Sequence, residues 1–417
     1  MAKQIVSRAE AGSVEPQVKA AARPTQRRVS RTHHECDVHA ERGGFERIAL
    51  VLQGGGALGS YQAGVYQALA EGGVAPNWIA GISIGAINSA IIAGNPPEKR
   101  VDRLREFWEV VTTDLAGTRF EAPQLDQFDG EFTRSFFTRA SSFLTLLHGQ
   151  AGFFRPRFPP PWAMQPGSAA SMSYYDTGEL KSTLERLVDF DRLNRDHTRL
   201  SLGAVNVRTG NFVYFDNATH VIRPEHVMAS GALPPGFPPI EINGEYYWDG
   251  GLVSNTPLTW VVDTTERANS LVFQVDLWSS RGELPRDVFE VNSRQKDIQY
   301  SSRTRMVTDL LKQRANVDRK IAALLAKLPP ELLKSDEAQA LLPHCETKTL
   351  NIVHLIYRAK QYETEAKDYE FSRRTMREHW QAGYNDAVRT LRHRKIFEQP
   401  DPDQSIQTFD IATEASD

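Results

Sequence analysis

Two glycine-rich segments, near residues 54 and 83, carry the residue types of a serine hydrolase site. They read Gln53-Gly54-Gly55-Gly56-Ala57-Leu58-Gly59 and Gly81-Ile82-Ser83-Ile84-Gly85. A serine in a Gly-x-Ser-x-Gly turn between a strand and a helix exposes a nucleophilic hydroxyl. A triple-glycine turn can supply backbone N–H groups that stabilise an oxyanion. Together the two segments predict an acyl hydrolase.

The elements around these segments have to position them. An apolar, strand-like run precedes each segment, at residues 47–52 and 78–82, and helix-like sequence follows at 58–70 and 84–93. Strands that alternate with helices at this spacing predict a mainly parallel sheet covered by helices, an α/β fold.

A dinucleotide site is the main alternative for the first segment, because Gly54-x-Gly56-x-x-Gly59 satisfies that fingerprint. The fingerprint also needs an acidic residue at the end of the second strand, and this strand ends in Ala80-Gly81-Ile82-Ser83. The sequence therefore favours an oxyanion, since N–H groups at a helix N-terminus bind any concentrated negative charge.

Ser83 needs a base, and an ordinary triad would supply a histidine. None of the histidines follows an apolar strand into a glycine-rich turn, whether in the C-terminal part or nearer to the serine (His344, His354, His379, His393, His220 and His226). Asp249 is the better candidate. It ends a short aromatic strand in Tyr246-Tyr247-Trp248-Asp249-Gly250-Gly251, where the glycines let the backbone turn; a plain turn aspartate is the simpler alternative.

These motifs resemble the patatin-like phospholipase family over residues 47–277. The resemblance rests on the triple glycine, the serine turn with Ala86-Ile87-Asn88 after it, and Asp249-Gly250-Gly251. Three linking segments agree with it: Ala229-Ser230-Gly231-Ala232-Leu233-Pro234, Phe237-Pro238-Pro239 and Asn255-Thr256-Pro257. One position departs, because Leu58 stands where the family usually has Arg or Lys.

The resemblance implies a three-layer α/β/α fold and a Ser–Asp dyad that uses no metal or cofactor. Ser83 would be the nucleophile and Asp249 its base, with Gly54, Gly55 and Gly56 as the oxyanion hole. Four further glycines would support the turns (Gly81, Gly85, Gly250 and Gly251). The implied activity is cleavage of fatty-acyl esters of lipids. A Ser-His-acid carboxylesterase and a catalytically silent lipid-binding protein on the same fold are the alternatives.

The chain divides by composition into four parts. Residues 1–44 read as a disordered basic tail, 45–280 as the catalytic domain, 281–397 as a mostly helical extension and 398–417 as a flexible acidic tail. The extension resembles a region found in a subset of bacterial patatin-like proteins. Its arginine-rich last helix suits a solvated face or a contact between two copies of the chain better than membrane docking.

Bulk properties restrict the partners. With 40% hydrophobic residues and a net charge of -3, the chain has no global field for nucleic acid. Its two cysteines favour a reducing, cytoplasmic setting, peripheral to the membrane if lipid is the substrate. The uncharged stretch 72–97 is interrupted by glycines, which favours a buried strand and helix over a membrane span. The aromatic-rich segment 115–175 is expected to be irregular, and either forms a lid or lipid-entry surface or packs on the sheet.

Overall fold

The structure is a computed structural model. It describes residues 44–112, 131–263, 268–302, 304–342, 348–360, 362–363, 365–400 and 405–411. The predicted N-terminal tail up to residue 43 and both cysteines, Cys36 and Cys345, lie outside these ranges.

Nine strands of the described chain form one twisted sheet in the order β11-β10-β9-β1-β2-β5-β8-β7, with β6 also paired to β5. Their bounds are β1 Arg47–Leu52, β2 Trp78–Gly81, β5 Arg199–Asn206, β6 Phe212–Asp216, β7 Ile240–Ile242, β8 Glu245–Asp249, β9 Ser270–Asp276, β10 Leu350–Ile356 and β11 Ile406–Phe409. The strands from β11 to β5 pair in parallel, whereas β6, β7 and β8 add antiparallel pairs. A separate ribbon pairs β3 (Arg155–Pro156) with β4 (Tyr175–Asp176).

Helices cover both faces of the sheet. They are α1 Ser60–Glu71, α2 Ile84–Ala93, α3 Arg100–Val110, α4 Glu131–His148, α5 Gly178–Leu187, α6 Phe190–Arg195, α7 Pro224–Ser230, α8 Leu258–Val262, α9 Val288–Tyr300, α10 Thr304–Leu325, α11 Asp336–Leu341 and α12 Arg373–Leu391. Alternate residues of β1 serve two separate cores: Ile48, Leu50 and Leu52 face α1, α2 and α12, and Ala49 and Val51 face α8 and α10. The predicted three-layer α/β/α fold is confirmed.

The C-terminal region shares the central sheet with the rest of the chain. β10 pairs in parallel with β9 along the whole of β9, and β11 pairs with β10. The sheet thus runs across the boundary predicted at residue 280. β11 lies inside the segment predicted as a flexible tail. This part of the segment is a strand because its backbone pairs with the edge of β10.

α12 packs closely against α1 and so attaches the C-terminal region to the rest of the chain. A methyl group at Gly64 would lie 1.9 Å from the Trp380 carbonyl oxygen, and one at Gly383 would lie 2.0 Å from the Tyr61 carbonyl oxygen. Two arginines predicted to give this helix a basic character are engaged within the chain: Arg373 donates to the carbonyl of Thr112 at 2.9 Å, and Arg374 pairs with Glu378.

Two further expectations meet the structure differently. The uncharged stretch 72–97 contains β2 and α2, both wholly buried, as predicted. No described helix combines the length and apolar character that crossing a membrane would need.

The aromatic-rich segment 115–175, expected to be irregular, instead holds the 18-residue helix α4. Its residues up to 130, with Phe128, lie outside the described ranges. The expectation failed for α4 because its apolar residues do not form a buried stripe.

Candidate active site

Ser83 lies in the sharp turn between β2 and α2. Its backbone has φ 57° and ψ −124°, a conformation that costs strain and that recurs at nucleophile turns. The two glycines of the motif are required by close approach: a methyl group at Gly81 would lie 2.3 Å from the Gly85 carbonyl oxygen, and one at Gly85 would lie 2.3 Å from the Leu52 carbonyl oxygen. The Ser83 N–H donates to the carbonyl oxygen of Ser230 at 3.1 Å.

Strand pairing on β5 brings Asp249 to this turn. β6 pairs with residues 201–205 of β5 along one edge, so β2 and β8 must share the other edge. Gly81, the end of β2, pairs with Leu202, and Asp249, the end of β8, pairs with Ala204. Because β8 runs antiparallel to β5 and β2 runs parallel to it, the carboxyl ends of β2 and β8 meet head to head. The serine and the aspartate each lie at one of these ends.

The carboxyl group of Asp249 is almost completely buried, with the residue 2% exposed. Its Oδ1 accepts a hydrogen bond from the Gly251 N–H at 2.7 Å, and the Ser83 side chain lies close enough to the carboxyl group to act on its pKa. Burial raises the pKa of Asp249 to about 7, although Ser83 and Gly251 oppose the rise. A carboxylate with a pKa near neutrality accepts a proton more readily than an ordinary aspartate.

The triple-glycine turn packs directly against the serine. A methyl group at Gly54 would lie 3.0 Å from the Ser83 Cβ. The Gly54 N–H donates to the Asn255 carbonyl oxygen at 3.3 Å, so this amide is already engaged. Within the described residues, no acceptor is found for the N–H groups of Gly55 and Gly56. These two amides therefore have the hydrogen-bonding capacity that an oxyanion would use.

The remaining glycines of the predicted site are also explained by close contacts. A methyl group at Gly250 would lie 2.7 Å from the Gly203 carbonyl oxygen, and one at Gly251 would lie 3.1 Å from the Asp249 Oδ1. Gly56 has a φ of 54°, and a methyl group there would lie 2.0 Å from the Asp368 carbonyl oxygen. All the residues proposed from sequence for the site thus lie in a cluster of three neighbouring turns, at residues 54–56, 81–85 and 249–251.

A cavity of about 290 Å³ opens at this cluster, and its wall includes Ser83, Asp249 and the three glycines. The rest of the wall is largely apolar and aromatic (Ile84, Ile87, Leu146, Phe153, Phe154, Tyr175, Leu233, Phe237 and Phe371). Phe153 and Phe154 are buried and contact Phe237 and Phe371 edge-on or tilted. Such a wall suits a hydrocarbon chain next to a polar reacting group.

Sequence reasoning missed the cavity residues that come from the C-terminal region. Tyr300, Asp368, Tyr369 and Phe371 belong to its wall, and Asp368 contacts the glycine turn. No motif marks these residues, because each lies in an ordinary helix end or connecting segment. The region predicted as a separate extension therefore forms part of the cavity that contains Ser83 and Asp249.

No histidine of the described residues lines this cavity. His226 is buried against Phe215 and caps α7, and burial lowers its pKa to about 4. His379 is buried beside Glu363 at 3.0 Å. His354 faces a different cavity of about 1110 Å³, at the carboxyl ends of β9 and β10, which contains neither Ser83 nor Asp249. His344 lies outside the described ranges.

Neither Leu58 nor a group of metal ligands contributes to the cavity in the described part of the chain. Leu58 is fully buried in the larger core, so its side chain does not reach the cavity. In the described part of the chain, no cluster of three or more His, Cys, Asp or Glu side chains could hold a metal ion.

Comparison with known proteins shows the family of the chain. A family model described as patatin-like phospholipase matches residues 50–261, just over half of the 417-residue chain. The chain therefore belongs to the patatin-like phospholipase family, which indicates lipid acyl hydrolase activity. A second model, described as DUF3734, patatin phospholipase, matches residues 298–403.

The chain also has a distant structural likeness to a solved protein. The crystal structure of VipD from Legionella pneumophila is 17% identical, with 83% of this chain and 67% of that chain covered and a TM-score of 0.38, a likeness too weak to carry an argument. A search of curated proteins found no match.

Proposed function

We propose that the protein hydrolyses fatty-acyl esters of lipids through a Ser83–Asp249 dyad and a covalent acyl-enzyme. The observation that carries the proposal is that the serine of a tight turn and a buried carboxylate of raised pKa lie together in the wall of an apolar cavity, next to two backbone N–H groups without an acceptor among the described residues. The substrate class comes from the family, and the apolar wall fits an acyl chain. The proposed residues are those that the motifs predict.

In the first half-reaction, Asp249 takes the proton from the Ser83 hydroxyl while the Ser83 oxygen bonds to the ester carbonyl carbon. The negative charge that develops on the carbonyl oxygen is stabilised by backbone N–H groups of the triple-glycine turn. Gly55 and Gly56 are the better donors of the three, because the Gly54 amide already binds Asn255. Each such donor is worth about 3–4 kcal/mol in the transition state.

Collapse of the intermediate breaks the bond to the alcohol, which leaves with the proton held by Asp249. Water then enters, gives its proton to Asp249 and attacks the acyl-enzyme, and Ser83 recovers the proton as the fatty acid departs. Asp249 acts in turn as base and acid in both halves. A carboxyl group with a pKa near 7 suits this double task at neutral pH.

A fluorophosphonate probe tests the nucleophile directly. Intact-protein and peptide mass spectrometry should locate one adduct on Ser83 and none in Ser83→Ala. The replacement Ser182→Ala, at an exposed serine of α5, is the control and should label normally. Absence of labelling in the unmodified, folded protein would favour the catalytically silent lipid-binding alternative.

Separate Ser83→Ala and Asp249→Asn variants test the dyad. Each should lower kcat on a soluble short-chain ester by at least about 10³-fold, since both groups act in one proton transfer. Four histidine replacements test the Ser-His-acid alternative, and each should leave activity largely unchanged (His226→Gln, His344→Gln, His354→Gln and His379→Gln). A comparable loss in any folded histidine variant, with activity retained in Asp249→Asn, would replace the dyad by a triad.

A further inference from the structure

Helix α4 is built with its apolar side toward solvent. Its exposed face carries four large apolar residues: Phe136 is 70% exposed, Phe143 64%, Leu147 55% and Leu146 43%. The opposite, buried face carries four small hydroxyl residues (Thr138, Ser141, Ser142 and Thr145). A helix on the surface of a water-soluble domain normally has the reverse arrangement.

Two of the four hydroxyl groups on the buried face of α4 are hydrogen-bonded to the helix itself. The Thr138 hydroxyl donates to the Arg134 carbonyl oxygen at 2.8 Å, and the Ser142 hydroxyl donates to the Thr138 carbonyl oxygen at 2.8 Å. Hydroxyl groups that bond back to the preceding turn can be buried at little cost. The exposed apolar face, in contrast, gains nothing from water.

The segment between β3 and β4 extends this apolar face. Phe158 is 94% exposed and Trp162 80%, and Tyr174 is half-exposed. The Tyr175 hydroxyl donates to the Leu146 carbonyl oxygen at 2.7 Å, which ties the segment to the carboxyl end of α4. We call the exposed apolar residues of α4 and of this segment together the α4 surface. Adjacent exposed apolar residues on a soluble protein mark an interaction site.

The α4 surface is continuous with the active-site cavity. Leu146 is exposed on α4 and also lines the cavity that contains Ser83, as does Tyr175. An apolar surface at the mouth of an apolar cavity gives a hydrocarbon chain a route with little exposure to water. A protein partner covering the same surface would stand at the entrance that the substrate must use.

We propose that the α4 surface inserts into the surface of a lipid bilayer and that substrate enters the cavity from there. Phe136, Phe143, Leu147, Phe158 and Trp162 are the inserting side chains. Burial of aromatic and aliphatic side chains at the headgroup boundary is the mode by which amphipathic segments bind membranes without crossing them. The delivery of substrate rests on the proposed function, but the insertion itself does not.

Vesicle binding tests insertion apart from catalysis. The Ser83→Ala protein, which should retain the surface, is sedimented with sucrose-loaded vesicles of phosphatidylcholine alone. Zwitterionic lipid separates apolar insertion from attraction of the arginine-rich segment near residue 27 to anionic lipid. Binding should persist at high salt, and the Trp162 contribution to fluorescence, defined by difference from Trp162→Phe, should shift to shorter wavelength.

A matched pair of triple variants locates the surface. Phe136→Ser, Phe143→Ser and Leu147→Ser together should weaken vesicle partition at least about tenfold, since three side chains lose apolar burial. The control carries Leu310→Ser, Val317→Ser and Leu324→Ser, three residues of α10 with 54–60% exposure, none of which lines the catalytic cavity. The control should bind vesicles as the parent does.

Hydrolysis assays on the active protein complete the test. The α4 triple variant should cleave a monomeric short-chain ester normally, which also shows that it is folded, while cleavage of ester packed in vesicles falls at least about tenfold. Equal vesicle binding by parent and α4 variant would overturn the proposal. So would a parent dimer that the α4 variant converts to monomer, because a second copy would then cover the surface. If neither ester is cleaved but binding is lost as expected, the proposed function fails and insertion stands.

Discussion

At the scale of single residues, the buried carboxylate of Asp249 carries the proposed proton transfer. Removal from water favours its neutral form, and only Ser83 and Gly251 oppose this effect. The same burial that makes Asp249 a stronger base makes its ionised form costly to the fold. Activity and stability should therefore depend on pH in opposite directions through this one residue.

We predict that kcat/KM on a soluble ester rises with pH through a midpoint of about 7. Asp249 must be ionised to accept the proton of Ser83, so the rate should fall about tenfold per pH unit below the midpoint and level off above it. The measurement is a pH–rate profile, with circular dichroism at each pH to show that the protein stays folded. A flat profile between about pH 5.5 and 8.5 would contradict Asp249 as the base.

We predict that Asp249→Asn increases the stability of the protein at pH 8 while abolishing activity. The folded pKa of about 7 lies above the ordinary 3.8, so the folded state holds the extra proton between these values and stability falls as pH rises through that window. The neutral amide avoids this loss, which is of the order of 2–4 kcal/mol. Urea unfolding at pH 8 and pH 4 measures it, and the advantage should shrink at pH 4.

At the scale of elements, the crossing of α1 and α12 joins the triple-glycine turn to the C-terminal region. α1 follows the triple glycine in sequence, and α12 follows Phe371 of the cavity wall. Gly64 and Gly383 let the two backbones touch, which a side chain at either position would prevent. This crossing holds both parts of the cavity wall in place.

We predict that Gly383→Ala destabilises the protein by about 1–3 kcal/mol, the usual cost of overpacking. In a helix without this contact, the same replacement would stabilise by about 0.5–1 kcal/mol, so the sign of the change identifies the contact. Chemical denaturation measures it, with the exposed replacement Gln381→Ala on the same helix as the control. A stabilised Gly383→Ala would mean that α1 and α12 do not cross closely.

The α4 surface belongs to the same scale. An outward apolar face is unfavourable in water, and the cavity mouth lies at the carboxyl end of α4. The helix was not expected from sequence because the usual signal is an apolar stripe interpreted as buried. Here the stripe exists, but Phe136, Phe143 and Leu147 face outward and the buried positions are Ser and Thr.

At the scale of the whole molecule, the two parts matched by separate family models share one sheet and one cavity. The sheet continues from β9 into β10, and Tyr300, Asp368, Tyr369 and Phe371 complete the cavity. The buried Lys367 pairs with the half-buried Asp297 at 2.6 Å within the C-terminal part, and this pair supports the segment that contacts the glycine turn.

We predict that a chain ending at residue 280 does not form a stable, active enzyme. It would expose the whole edge of β9, which β10 covers in the full chain, and uncover the face of α1 that packs on α12. Soluble yield, size-exclusion chromatography and ester hydrolysis compare it with the full chain. A monomeric truncated protein of full activity would show that the catalytic domain is independent, as the composition of the chain suggests.

The sequence by itself was sufficient for the fold class and for the residues proposed to act. Strand and helix periodicity predicted β1, β2 and α2, and the glycines around Ser83 and Asp249 are local requirements of tight turns that a short motif can carry. Each of these properties depends on neighbours within a few residues. This is why Gly81, Gly85, Gly250 and Gly251 stand out in the amino-acid sequence alone.

Only the tertiary structure decided how distant segments meet. That β2 and β8 end head to head on one edge of β5 depends on strand pairing across more than 100 residues, which no local pattern specifies. The same holds for the C-terminal wall of the cavity and for the outward face of α4. Long-range pairing and burial are set by the packing of the whole chain, because a residue's environment depends on which elements surround it and not on its neighbours in sequence.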